Sequence, residues 1–296
     1  MTGRLLRDHL SLTGLVIIIL IFAVTMAAPV LAPHDPLPVE LSERLRSADD
    51  QYPLGTDPLG RCLYSRLLYG GRITLQYSLS VLAIILLIGI PTGLLAGYLG
   101  GMVDGLLMRV ADVVLAFPNL ILALVVTGFL GPGLINVMIA LAVVSWVQYA
   151  RVVRGMVLSL KQKEFVLAAR SAGTGPLGII WHHLVPNVLP PVVVMATLNL
   201  GGLVLSIATL SFLGLGAQPP VPEWGAMINE ARNYMVSTPM LMLLPGTAIA
   251  LTVLGFNLLG DGLRDVLDPQ GFTRPRQQSA GSSKPSPRLF SRRGSQ

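Results

Sequence analysis

The chain alternates long apolar runs with short polar segments. A helix needs about 20 apolar residues to cross a bilayer. Six runs reach that length: residues 10–31, 73–98, 110–130, 134–153, 188–213 and 241–259. They are too long for buried strands, so the pattern predicts an all-α integral membrane protein with six transmembrane helices. Several runs carry Gly or Pro, as in the series Gly89, Pro91, Gly93 and Gly97. Membrane helices tolerate such residues, and small ones let neighbouring helices approach closely. Helix packing is therefore the reading of these glycines, ahead of a ligand site. The resulting division is a short N-terminal segment (1–9), a first helix (10–31), a connection (32–72), a main helical body (73–262) and a tail (263–296). The body contains one polar stretch, 159–187, between its hydrophobic spans.

Composition agrees. Hydrophobic residues make up 52% of the chain and charged ones 12%, with a mean hydropathy of +0.67. A soluble domain carries about a quarter charged residues. The difference matters because a charge is costly in hydrocarbon. Cys62 is the only cysteine, which excludes an intrachain disulfide. The net charge of +6 is spread over loops and tail. It is not a nucleic-acid footprint, and no nucleic-acid partner is expected.

Lys and Arg in the loops set the orientation. With a cytoplasmic N-terminus, 15 basic residues fall inside and 6 outside, and acidic residues divide 7 to 8. Both termini and the stretch 164–187 are then cytoplasmic. A cleaved signal peptide is the competing reading of the first span, since Arg4 and Arg7 precede it and Thr25-Met26-Ala27 resembles a cleavage site. The run exceeds a usual signal core of about 7–15 residues. The outer loop 214–239 contains Pro219, Pro220 and Pro222, which forbid helix, and then a short helix near the surface over 223–234. From residue 270 the tail is rich in Pro, Ser and Arg, a composition that predicts disorder. Its basic residues suit anionic lipid headgroups, with a plain solvated tail as the competing view.

The polar stretch EFVLAARSAGTGPLGIIWHHLVPN (164–187) has its own internal logic. Ser159 and Gln162 have capping-box spacing, which predicts a helix start. Phe165, Ala168, Ala169 and Ala172 recur at helical spacing as a small apolar face, flanked by Lys161, Glu164 and Arg170. Gly173 is placed to cap this helix in a left-handed conformation. Pro176 suits the first turn of a second helix, and Pro186 ends or kinks that helix before the fifth span. The product is a two-helix elbow with a glycine at its tip. From the residues alone, a docking element for another protein and a connector on the membrane surface both fit.

The run Leu167-Ala168-Ala169-Arg170-Ser171-Ala172-Gly173, with Pro186 after it, resembles the EAA loop of binding-protein-dependent ABC importer permeases. It departs from the wider motif at Leu167, where Glu is usual. His183-Leu184-Val185-Pro186-Asn187 resembles the ending common in the peptide and nickel branch. LGTDPLGR (54–61) with Ser65-Arg66 is similar to a further signature of that branch, with Cys62 where Asp is usual. GGMVDGLLMRVADVVLAFP (100–118), SFLGLGAQPPVPEWGAMINEAR (211–232) and FNLLGDGLRDVLDP (256–269) look like it too. The resemblance spans nearly the whole chain and points to the second of two paired permeases. It implies a type I ABC importer transmembrane domain in the bacterial inner membrane, carrying dipeptides, oligopeptides, nickel or metal chelates. It also implies a coupling role for Glu164, Ala168, Ala169, Arg170, Gly173 and Pro186. The implied partners are a second permease subunit, cytoplasmic ATP-binding subunits, an extracytoplasmic solute-binding protein and membrane lipid. ATP is expected on the partner chains and no cofactor on this one. The sequence has no GxxxxGK[ST] phosphate loop, so no ATP hydrolysis is expected here.

Two other function classes compete. An ion-coupled secondary transporter needs ionisable groups at mid-membrane depth, and the six spans have almost none. A metal enzyme needs clustered ligands. His182 and His183 are adjacent, so on a helix they point about 100° apart and do not share a metal easily. They read as polar residues of the elbow. Asp104, Arg109 and Asp112 form a candidate ion-pair cluster in the cytoplasmic turn, and Trp146 and Trp224 read as membrane-interface anchors. The substrate path is not legible.

Overall fold

The computed structural model describes residues 9–267. Residues 1–8, and the tail from 268 on for which disorder and lipid contact were expected, lie outside the described residues. The helices are α1 (His9–Met26), α2 (Ala28–Leu31), α3 (Leu63–Leu99), α4 (Gly101–Leu115), α5 (Asn119–Leu130), α6 (Leu134–Leu160), α7 (Glu164–Ser171), α8 (Pro176–Ile179), α9 (Val185–Phe212), α10 (Trp224–Ala231) and α11 (Met240–Leu267). Among the described residues, five helical segments are long and apolar enough to span a membrane, and a bent pair makes a sixth if counted as one span.

Four of the expected boundaries change. The first span breaks at Ala27, so α2 is a separate turn. The third span is not one straight helix: α4 and α5 meet at 89° across residues 116–118. Pro118 explains the break, because it lacks an amide hydrogen and pushes the residue before it away from helical geometry. The connection 32–72 ends early, since α3 begins at Leu63 and carries Arg66 and Arg72 on its first turns. At 37 residues α3 is about 55 Å long, well beyond the roughly 30 Å of hydrocarbon, so it projects past the apolar layer. The fifth span also starts early. Helical backbone runs unbroken from Pro176 to Phe212.

The glycines of α3 behave as their spacing predicted. A Cβ on Gly89 would stand 2.8 Å from the Tyr149 Cβ, on Gly93 2.5 Å from the Ala150 carbonyl, and on Gly97 2.7 Å from the Val157 Cβ. These positions form one seam along which α3 and α6 touch almost backbone to backbone. No Cβ fits there, so the seam requires glycine. It joins the most extensively packed pair of helices among the described residues. On the other side, α11 packs on α9 and α1.

The short helix expected over 223–234 exists as α10 and a following 3-10 turn, Arg232–Tyr234. It is not a surface element. Trp224, Gly225, Ala226, Met227 and Ala231 are buried, and α10 is wedged among α3, α9 and α11. Trp224 is therefore a core residue rather than an interface anchor. Its indole N–H donates to the Leu67 carbonyl at 2.9 Å, and its ring lies against Gly70 and Gly71. Trp146 is half-buried on α6.

Candidate functional site

The elbow forms as two short helices joined at Gly173. α7 starts on Glu164 and ends with Arg170 in its last turn, charges that match the partial charges of the helix ends. Gly173 has φ +84°. Its N–H donates to the Arg170 carbonyl at 3.1 Å, and the Thr174 N–H donates to the Ala169 carbonyl at 3.1 Å. This pair of bonds is a Schellman cap, which satisfies carbonyls that α7 would otherwise leave open. A Cβ on Gly173 would meet nothing within 4 Å, so the glycine is required by backbone conformation and not by crowding. Pro176 opens α8, as its fixed φ favours.

The capping box does not form. Ser159 lies inside α6, which runs on to Leu160, and the N-cap of α7 is Lys163 without a side-chain cap. Pro186 does not end the second helix either. A π-turn, Ile180–Leu184, precedes it, and the Val185 N–H reaches back to the Ile180 carbonyl. Widening the helix by one residue absorbs a position where proline cannot donate. The Asn187 side-chain amide donates to the His183 carbonyl at 2.7 Å, satisfying one group in the widened turn.

Three buried side chains hold the elbow to the bundle: Val166, Ile179 and Leu184. Its outer surface carries Ala168, Ala172 and Gly173, all exposed. Large apolar side chains flank them. Leu177 is 71% and Trp181 67% exposed, and Phe165 and Leu167 are also exposed. Phe165 lies 6.1 Å from the ring of His183, and His182 caps back onto the Gly178 carbonyl at 3.1 Å. The two histidines thus serve the elbow's own structure.

Ion pairs brace the base of the elbow, with partners other than those expected. Asp104 pairs with Arg154, at 2.6 Å from Nη2, and Asp112 pairs with Arg151. Both tie α4 to α6. Arg109 is exposed and joins neither pair. The helix break at 116–118 turns α4 across α6, which creates these pairings. Lys161 Nζ donates to the Gly97 carbonyl at 3.0 Å, closing the end of the glycine seam.

A second charged cluster lies at the opposite end. Arg61 and Arg66 are almost fully buried, as is Asp57. Arg61 Nε bonds Asp57 at 2.6 Å, and Arg66 bonds Glu230 at 3.0 Å. Glu230 also receives a bond from Arg61. Glu223, fully buried, accepts from Thr74 Oγ1 at 3.0 Å and from the Ala226 N–H at 2.9 Å. The connection 32–62 is thereby clamped onto α3 and α10. Sequence reasoning quoted both motifs, LGTDPLGR and WGAMINEAR, without joining them. The signal was present as four charges within otherwise apolar surroundings.

Residues 89–270 match the family described as the binding-protein-dependent transport system inner membrane component, and residues 2–53 match the N-terminal transmembrane domain of oligopeptide transport permease C. The chain belongs to this family. Among its relatives is the dipeptide transport system permease protein DppC of Alkalihalophilus pseudofirmus, 42% identical over 90% of this chain and 88% of that one. The nickel transport system permease protein NikC of Escherichia coli K12 is 46% identical over 88% of this chain and 94% of its own. The glutathione transport system permease protein GsiD of Pectobacterium atrosepticum is 43% identical over 90% and 89%. The solved MetNI methionine ABC transporter shares the fold, with a TM-score of 0.58 at 20% identity, over 70% of this chain and 98% of that one. The family decides between the two transporter classes. The protein is a multi-pass permease subunit of an ABC importer and not an ion-coupled secondary transporter.

Proposed function

We propose that the elbow is the element through which a separate cytoplasmic ATPase drives this permease. Glu164, Ala168, Ala169, Arg170, Gly173 and Pro186 belong to it or to its immediate support. The observation that carries the reading is the elbow's surface. A patch of small residues ringed by Phe165, Leu167, Leu177 and Trp181 is solvent-facing and anchored from beneath. An apolar face of this kind fits a groove on a partner. The loop charge supports a cytoplasmic position for it, which is where an ATPase would be met. A second permease would complete the membrane unit, and an extracytoplasmic binding protein would deliver cargo to the opposite face. ATP would be bound by the ATPase chains alone. The relatives named for dipeptide, nickel and glutathione transport support a cargo among small polar solutes. The test is uptake by the complete importer in proteoliposomes. Uptake is expected to require internal ATP and to persist when ion gradients are collapsed. Gradient-driven uptake by this chain without any ATPase would overturn the reading.

A further inference from the structure

A cleft of about 220 Å³ opens among α3, α5, α6 and α9. Its polar lining is Asn119, Ser145, Gln148, Tyr149, Asn199 and Ser206. Gln148 lies near the midpoint of α6 and Asn199 near that of α9, each roughly 20 Å from its helix ends. The cleft therefore sits midway along α6 and α9, within the apolar runs 110–130, 134–153 and 188–213. Tyr149 and Asn199 bond to one another at 3.0 Å across α6 and α9. The Ser206 hydroxyl is satisfied by the Gly202 carbonyl of its own helix. The side chains of Asn119, Ser145 and Gln148 make no hydrogen bond among the described residues.

Polar side chains without partners are costly against lipid. Three of them, on two helices, turn toward one cleft beside a polar pair. Hydrophobic packing does not explain that convergence, since Ile85, Leu141 and Leu203 beside them are apolar and buried and offer no hydrogen-bond partner. Water or a passing polar solute satisfies all three. The lining is also uniform in kind. Its polar members are amides and hydroxyls, with no carboxylate, imidazole or ammonium group. Amides donate and accept together, as the peptide group does. Carboxylate and imidazole are the groups that hold divalent metal ions, and the cleft offers neither.

We propose that this cleft is the chain's share of the cargo path, contacting amide-bearing solutes through Asn119, Ser145, Gln148 and the Tyr149–Asn199 pair. The proposal rests on the importer reading and adds where and with what chemistry the solute is touched. Neutral donors and acceptors suit cargo of any side-chain charge.

The test uses the complete importer in a Cys62→Ser background. In nanodiscs, Ser145→Cys and Gln148→Cys are expected to react with a charged aqueous thiosulfonate at least tenfold faster than Leu20→Cys. Leu20 is 63% exposed on α1, away from the cleft. In proteoliposomes, the probe is a mixed pool of neutral di- to pentapeptides, with hydrated Ni²⁺ as the comparison. Peptide uptake is expected to fall tenfold or more in Gln148→Leu and to be partly restored by Gln148→Asn. Cleft cysteines as unreactive as the Leu20→Cys control, in a complex that still shows ATP-dependent uptake, would overturn the cleft and leave the importer standing. Uptake of hydrated Ni²⁺ without peptide uptake would overturn the cargo class. A wild-type complex indifferent to ATP would instead sink the importer mechanism.

Discussion

Gly173 and Glu230 show how differently single residues act in this protein. Gly173 holds a left-handed backbone in open space, so Gly173→Asp meets strain of about 1–2 kcal/mol and no clash within the chain. The permease is expected to insert at normal abundance while ATPase co-purification and uptake fall. Ser171→Ala serves as the control, and quantified membrane levels beside pull-down of the ATPase check it. Full association in Gly173→Asp would reduce the elbow to a surface connector. Glu230 is the opposite case. It neutralises two buried guanidinium groups, and breaking a buried pair from one side costs about 3–5 kcal/mol. Glu230→Ala is expected to loosen the 32–62 connection, seen as faster protease cleavage there and a lower melting temperature. On the same connection, Asp49 accepts N–H bonds from Tyr52 at 2.7 Å and Gln51 at 2.9 Å. The Tyr52 amide bond above all holds its carboxyl below the ordinary range. A depressed pKa stabilises the fold above the unfolded value, so this turn is expected to loosen as pH falls into the acid range. Amide exchange at Tyr52 across an acid titration would report it.

At the scale of elements, the α3–α6 seam and the α4–α5 bend organise the bundle. The seam leaves no room for a methyl group. Gly93→Ala places a Cβ 2.5 Å from the Ala150 carbonyl, against backbone that cannot turn aside. Overpacking of this kind costs about 1–3 kcal/mol. A lower melting temperature is expected for Gly93→Ala and none for Gly128→Ala, where a Cβ meets nothing within 4 Å. Equal stability of the two variants would show that α3 and α6 are held by something other than close approach. The bend has a separate consequence. It turns α4 so that Asp104 and Asp112 reach Arg154 and Arg151, which links the base of the elbow to the glycine seam. It also brings Asn119, the first residue of α5, to the cleft.

At the scale of the whole molecule, the elbow and the buried outer clasp occupy opposite ends of one helical body. The charge bias of the loops predicts that the elbow faces the cytoplasm. With Cys62 replaced by Ser, an impermeant thiol reagent added outside intact cells is expected to label a cysteine at Val236 and not one at Lys163. Val236 is 93% exposed, whereas the nearby Glu223 is fully buried and unsuited to labelling. The reverse pattern would overturn the placement of the elbow and with it the proposed ATPase contact.

Hydrophobic run length, loop charge and local turn chemistry are properties of neighbouring residues, and they carried the spans, the expected orientation and the Gly173 cap. The glycine spacing on α3 was legible for the same reason, since positions four apart share one helix face. Other features depend on partners far away in the chain. Residues 63–72 look like loop because Arg66 and Arg72 are charged, yet they are helical, with Arg66 neutralised by Asp57 and by Glu230, 164 residues on. Trp224 looks like an interface anchor until two glycines of α3 open a slot for its ring. Pro186 looks like a helix end until a π-turn accommodates it within a continuous span. The cleft gathers polar residues from three helices, α5, α6 and α9. They are scattered over three separate apolar runs, and only the packing of those helices decides that they face one another.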